Sequence, residues 1–335
     1  MSRSFKFKLL LIFNIVASYT YIRGDKLMKY IFVSKKNIMY ILGLFIILIL
    51  FILLIYPMKD NSSSLTKETF KPLDTMKNNS LDLNADGNKE TISIITQNDN
   101  DDIEITSDNH TYFLSSLCDN NILSTHSSFW PLSIYIQKLS RNLYPDIIVQ
   151  GNLNNKPVNY IFTWKDNSFI KVFSNDNNLL GALDLNSNKT PECYTLNSFS
   201  GMSSFNSFMI LDKEILDTTS DTNLNPDIAI IQSFINVIEM QSELYELPNI
   251  FKEGISPEDL SLLWNLDKEN NTYSFQNGFF YDDTSNTKGK AASYKWNLNF
   301  EKYSSYDNSK SQITIYLTTE LINDTTYEIS SFHQK

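Results

Sequence analysis

The sequence predicts a chain of three structural kinds: a single transmembrane helix, an extracytoplasmic all-β repeat-like domain, and an α+β domain of two helices and a four-stranded antiparallel sheet. Three observations predict it. Ile38 to Tyr56 is an unbroken uncharged run, IMYILGLFIILILFILLIY. Between 79 and 217, short segments rich in β-branched and aromatic residues alternate with Asn/Asp/Ser clusters, the pattern of strands joined by turns. After Asp221 the apolar period lengthens from that of a strand to that of a helix and then shortens again.

The apolar run comes first in the chain. As a helix it reaches about 28 Å, close to the thickness of a bilayer's hydrocarbon core. Tyr40 and Tyr56 stand near its ends and Pro57 follows it, which suits the headgroup zone and a helix stop. Lys26, Lys29, Lys35 and Lys36 precede it, whereas Lys59 after it is followed at once by Asp60. The positive-inside rule therefore predicts a cytoplasmic basic leader over 1–37, a membrane span over 38–57 and an extracytoplasmic remainder. Within the leader, Arg3, Lys6 and Lys8 before Leu9–Ala17 are laid out as in a signal peptide, but Asn14 interrupts the run. Met28 offers an alternative start. Residues 58–78, polar and without period, read as a tether.

Charge divides across the span. Residues 1–57 hold eight Lys and Arg against one acid, and the rest of the chain 20 against 37, a balance of −17. So acidic a region repels nucleic acid, which excludes that partner class. It is compatible with attraction for divalent cations. Cys118 and Cys193 are the only cysteines, and neither they nor His110, His126 and His333 fall at zinc-ligand spacing. The wealth of Asn, Ile and Ser with only 9 Gly and 9 Pro is a bacterial, AT-rich style of composition.

Over 79–217 the expected strands are Thr91–Thr96, Asp102–Thr106, Tyr112–Ser116, Leu132–Lys138, Asp146–Gln150, Val158–Trp164, Ser168–Phe173, Cys193–Leu196 and Phe205–Leu211. An internal echo runs through them. LDLNADGNKE at 81–90 matches LDLNSNKTPE at 183–192, and a weaker third copy centres on Tyr144-Pro145-Asp146. The steps from Glu90 to Asp146 to Glu192 are 56 and 46 residues, near the size of one four-stranded repeat.

Over 225–335, Ile228, Ile231, Ile235, Ile238 and Leu244 line one helical face of IAIIQSFINVIEMQSELYEL. Ser256-Pro257 starts a second helix, with Ser as its cap and Pro in first position, ending near Leu266. Strands are expected at Thr272–Tyr281, Ser293–Tyr303, Ser311–Glu320 and Thr326–Phe332.

The sharpest chemical signal is Asp82, Asn84, Asp86 and Glu90 around Gly87. Oxygen donors at alternate positions with a glycine for the tight turn can wrap a calcium ion, though Ser93 stands where an EF-hand needs its bidentate Glu. The loop resembles the short calcium loops of FG-GAP and VCBS-type repeats, which close on an acid at this ninth position. That resemblance implies a structural calcium ion. In the second copy, Asp184, Asn186, Asn188 and Glu192 keep the spacing, but Lys189 replaces the glycine, so weaker affinity is expected there. The helix–helix–meander order over 225–335 resembles the nuclear transport factor two-like cone. That resemblance implies a sheet wrapped around helices and a set of aromatic residues, Trp264, Trp296, Tyr294, Phe279 and Tyr316, that line or fill it. The acidic pairs Asp101-Asp102 and Asp282-Asp283 read as solvated turns.

No nucleophile elbow, phosphate loop or metal cluster is present at recognisable spacing, so no catalytic residue is assigned. The expectation is an anchored binding or scaffolding protein, held in membrane lipid through 38–56 and facing an envelope protein or polysaccharide. Its alternatives are a tethered enzyme acting on cell-wall or extracellular polymer, and a subunit of an envelope secretion or sporulation assembly.

Overall fold

The computed structural model describes residues 80–335, except 108–109, 141, 185–189, 199–205, 212–213, 221–227, 243, 286–290, 324–325 and 335, together with the backbone of two short strands before them. The expected leader, span and most of the tether lie outside the described residues. Among the described residues no helix is long and apolar enough to cross a membrane.

The early strands are β1 (Lys67–Glu68) and β2 (Leu73–Asp74). Three four-stranded antiparallel meanders follow. The first is β3 (Ser80–Leu81), β4 (Glu90–Gln97), β5 (Asn100–Thr106) and β6 (Thr111–Phe113), with β7 (Ser124–Thr125) added beside β5. The second is β8 (Ser133–Gln137), β9 (Asp146–Leu153), β10 (Lys156–Lys165) and β11 (Ser168–Asn175). The third is β12 (Leu179–Leu183), β13 (Glu192–Leu196), β14 (Asn206–Leu211) and β15 (Glu214–Asp217). Helices α1 (Ile228–Glu239) and α2 (Pro257–Asn265) come next, then a meander of long strands: β16 (Asn271–Ser285), β17 (Ala291–Ser304), β18 (Lys310–Leu321) and β19 (Tyr327–Gln334). Among the described residues the protein is mostly β, with several antiparallel sheets and two helices.

Tight hairpins in the first two meanders use asparagine and aspartate where glycine is scarce. Asn98-Asp99, Asn154-Asn155 and Asp166-Asn167 all have positive φ, from 48° to 64°. Two-residue hairpins demand that conformation at both central positions, and short Asx side chains tolerate it better than other non-glycine residues. This accounts for part of the chain's asparagine richness.

Alternation along the strands sends side chains into three successive cores. Ile147 and Val149 join Leu83, Ile103 and Phe162 between the first and second meanders. Ile148 and Ile161 face the other way and pack with Leu180, Cys193 and Phe208 of the third. Leu179, Tyr194 and Leu196 then turn to a third core with α1, α2 and the long strands, around Phe234, Trp296 and Phe332. Because the second meander is covered on both faces, β9 is buried along nearly its whole length. Buried amides also join the layers: Gln150 Nε2 donates to Asn159 Oδ1 at 2.8 Å and to the Gly278 carbonyl at 3.1 Å.

The third meander and the long strands form one sheet, because β12 pairs in parallel with β16 through Leu179↔Gly278 to Ala182↔Tyr281. The boundary expected between 217 and 225 thus falls within a sheet rather than between two. β12 itself was not among the expected strands. It reads Leu-Leu-Gly-Ala-Leu and is buried throughout, so it lacks the alternation that marks a half-exposed strand.

Two expectations need correction. The strand expected at Tyr112–Ser116 stops at Phe113, and Leu114–Leu117 is a 3-10 turn. The first helix ends at Glu239 rather than running on toward Leu244. Gln241 and Ser242 fall where the apolar stripe after Ile238 should continue, so no buried face holds another turn. The second helix is as expected, with Ser256 Oγ accepting the Glu258 N–H at 3.1 Å.

Candidate functional site

The echo in the sequence becomes a repeated hairpin. In each meander the last residue of the first strand pairs with an acid nine positions later: Leu81↔Glu90, Gln137↔Asp146 and Leu183↔Glu192. Each acid opens the second strand. In the first two meanders it bonds the backbone two residues beyond the first strand. Glu90 Oε2 accepts the Leu83 N–H at 2.6 Å, and Asp146 Oδ2 accepts the Leu139 N–H at 2.9 Å and that of Ser140 at 3.3 Å. Both leucines are fully buried, so a carboxylate supplies the partner that an interior N–H requires. Among the described residues Glu192 accepts the hydroxyls of Tyr194 at 2.7 Å and of Thr218; the position two residues beyond β12 lies outside them. Burial holds the carboxyls of Glu90 and Asp146 above their usual range, and for Glu90 the nearby Asp86 and Asp82 push the same way.

The first loop brings the four expected donors together. Asn84 Nδ2 lies 3.0 Å from both Asp86 Oδ2 and Glu90 Oε1, while Asn84 Oδ1 accepts the Asp86 N–H at 2.8 Å. Asp82 Oδ2 accepts the Gly87 N–H at 3.1 Å, and Asp86 Oδ1 that of Asn88 at 2.7 Å. Ala85 and Gly87 take positive φ, 61° and 92°, and only the glycine does so without steric cost. These are Asx-type bonds that close the turn on itself. Asp82 Oδ1 is buried without a hydrogen-bond partner. Among the described residues no group of three or more His, Cys, Asp or Glu is arranged to hold a metal ion. The donor set, three carboxylates and an amide oxygen, nonetheless fits a hard cation chemically, and the orphaned Asp82 oxygen is the one atom already free to meet it. In the second copy Asn186, Asn188 and Lys189 lie outside the described residues. There the Asp184 N–H donates to Asp282 Oδ1 at 2.9 Å.

The acidic pairs are not solvated turns. Asp101 is 4 % exposed and Asp282 is fully buried, because both stand inside strands. Asp101 shares the core-facing side of β5 with Ile103 and Ile105. That spacing of two was the signal in the sequence. Asp101 Oδ1 accepts Thr96 Oγ1 at 2.6 Å and lies 2.8 Å from Nδ1 of the half-exposed His126. Asp102 binds Ser115 through its N–H at 2.8 Å and its hydroxyl at 2.5 Å. Asp101 and Asp102 border a cavity of about 370 Å³.

The five aromatics named for the cone do not share one lining. Trp296 and Tyr294 are buried in the helix-side core, Phe279 stacks on Tyr135 across the opposite face, and Tyr316 stacks on His333. Trp264 is 57 % exposed and borders a separate cavity of about 360 Å³ with Leu244, Leu263 and Leu266. Cys118 and Cys193 are unpaired and buried in different cores.

Comparison of the chain with protein-family models, curated proteins and solved structures gives no match.

Proposed function

We propose that this chain is a single-pass membrane-anchored protein whose region after residue 58 stands outside the cytoplasm as a binding or scaffolding body. The carrying observation is the lysine-flanked apolar run Ile38–Tyr56 followed by a remainder of charge −17. The stacked meanders support a presenting role, since the interior acids Glu90 and Asp146 are engaged in closing hairpins. The equal hairpin spacing supports reading 79–217 as three copies of one repeat, and the bulged strands over helices support a cone-like unit beyond it. Protease added to intact wall-stripped cells should remove the region after residue 58. Full protection there overturns the proposal.

Calcium belongs to the same reading. Asp82, Asn84, Asp86 and Glu90 would hold the ion, whose charge would offset the repulsion among three neighbouring carboxylates.

A second reading, a tethered enzyme acting on envelope polymer, draws on the Asp101–His126 pair. A buried carboxylate on Nδ1 can orient an imidazole as a general base. Polymer-degrading activity lost in His126→Ala would favour it over scaffolding.

A further inference from the structure

A tryptophan left in water next to a cavity is an unusual economy for a chain that buries most of its large aromatics. Trp264 is 57 % exposed on α2, whereas its neighbour Leu263 is 4 % exposed and belongs to the helix-side core. Leu244, Leu263 and Leu266 give the cavity beside the indole apolar walls, and Asp267 and Glu269 also line it. Lys268, between these two acids, lines it as well, but its ammonium is engaged elsewhere. Its Nζ donates at 2.6 Å to the Val237 carbonyl in the last turn of α1, and burial lowers its pKa. Asp267 accepts hydrogen bonds from Asn270 at 3.0–3.2 Å. The Glu269 backbone is among the groups that bond Asp267, while its carboxylate is exposed at the cavity edge. Tyr245, 89 % exposed, follows Leu244.

We propose that the Trp264 cavity is a docking site for an arginine or lysine side chain carried by a basic segment of a partner protein, its cation on the indole face beside Asp267 and Glu269 and its stem on the leucines. This rests on the reading of the chain as a binding protein and names the chemistry of its partner. Charge selects the occupant: the chain beyond residue 57 carries −17, so a basic segment is drawn to it and an acidic one repelled. A cation over an indole is attracted by the ring's electron-rich face, and tryptophan is the best such platform. Exposed tryptophan bordering a pocket is also the residue type on which binding energy concentrates. The volume, about 360 Å³, admits one long side chain.

The test is tryptophan fluorescence of the purified full chain. Trp130 and Trp296 are buried and Trp164 is partly covered, so a contact-dependent change reports mainly Trp264. The probe is a capped Gly-Arg-Gly-Arg-Gly peptide, with its Glu counterpart and a tetramer of N-acetylglucosamine as comparisons. The arginine peptide should give a saturable change that weakens several-fold when salt is raised from about 0.05 to 0.3 M. The Glu peptide should give none. Trp264→Ala should lose about tenfold or more in affinity, measured by peptide anisotropy, with unchanged melting. Trp264→Phe should recover part of the loss, and Glu269→Gln should weaken binding about two- to fivefold. No saturable change with the arginine peptide, equal binding by Trp264→Ala, or preference for the saccharide overturns the site. The extracytoplasmic reading fails separately, on protease protection in cells, so the two failures are distinguishable.

Discussion

Replacing Gly181 by alanine probes the junction on which the whole layering depends. Gly181 lies mid-way along β12, opposite Tyr194 on one side and Phe280 on the other. A Cβ added there would lie 2.2–2.4 Å from three atoms of the Phe280 ring. That ring cannot swing aside easily, since it is fully buried and stacked on Trp296 with centroids 4.4 Å apart. Forcing a methyl into a packed core costs about 1–3 kcal/mol. Alanine returns about 0.4–1 kcal/mol by restricting the unfolded chain, leaving a net loss of about 1–2 kcal/mol. For a folded region of this size each kcal/mol shifts Tm by about 2–4 °C, so Gly181→Ala should melt about 2–8 °C below the parent. Thermal unfolding followed by near-ultraviolet circular dichroism reads aromatic packing directly. Phe280→Leu makes room for the methyl, so the double variant should be less destabilised than the sum of the singles by at least about 0.5 kcal/mol. A Gly181→Ala protein that melts at or above the parent, or strict additivity with Phe280→Leu, refutes the packing described for this junction.

Glu90 binds its proton more tightly folded than unfolded, so it makes stability fall as pH rises from its ordinary value through its raised one. Glu90→Gln should flatten that part of the stability–pH curve, and an unchanged curve would remove Glu90 as its source. Millimolar calcium should raise Tm, by the equivalent of about 2.7 kcal/mol at a hundredfold excess over Kd. Asp86→Ala should abolish most of the rise and Asp184→Ala little of it, whereas identical melting in calcium and in chelator leaves only the self-closed turn. Burial lifts the Cys118 thiol to about 11 and raises Cys193 as well, so neither should react with a thiol reagent at pH 8 until denaturant releases two equivalents. Proteolysis between 218 and 227 should leave two fragments that co-elute, held by the β12–β16 pairing. Clean separation of the fragments would argue for independent domains on either side.

The elements legible in advance were those dense in β-branched and aromatic residues between turn clusters, β9 and β10 among them although both are buried along most of their length. The four long C-terminal strands are of that composition, and each lies within a few residues of its expected position. The echo of Glu90, Asp146 and Glu192 was legible because hairpin closure repeats the same spacing of nine. What stayed hidden was set by contacts between layers. β12 has no alternation to display, since both its faces are covered. The seclusion of Asp101 depends on a strand phase that its polar neighbours Asn98, Asp99 and Asn100 disguise. How the first loop's side chains bond one another follows from the backbone's course, which composition does not encode.

The first two strands, each of two residues, also define a path for force. β1 pairs with β16 through Lys67↔Ser285 and Glu68↔Thr284, and β2 pairs with β8 through Leu73↔Ile136 and Asp74↔Tyr135. The chain is therefore stitched to the last sheet, and then to the middle one, before the first meander begins. Tension arriving from the N-terminal side meets these two-residue clasps first. Each clasp joins only two residue pairs, so a pull from that side should open them at a lower load than the long ladders behind them, which share it among many bonds.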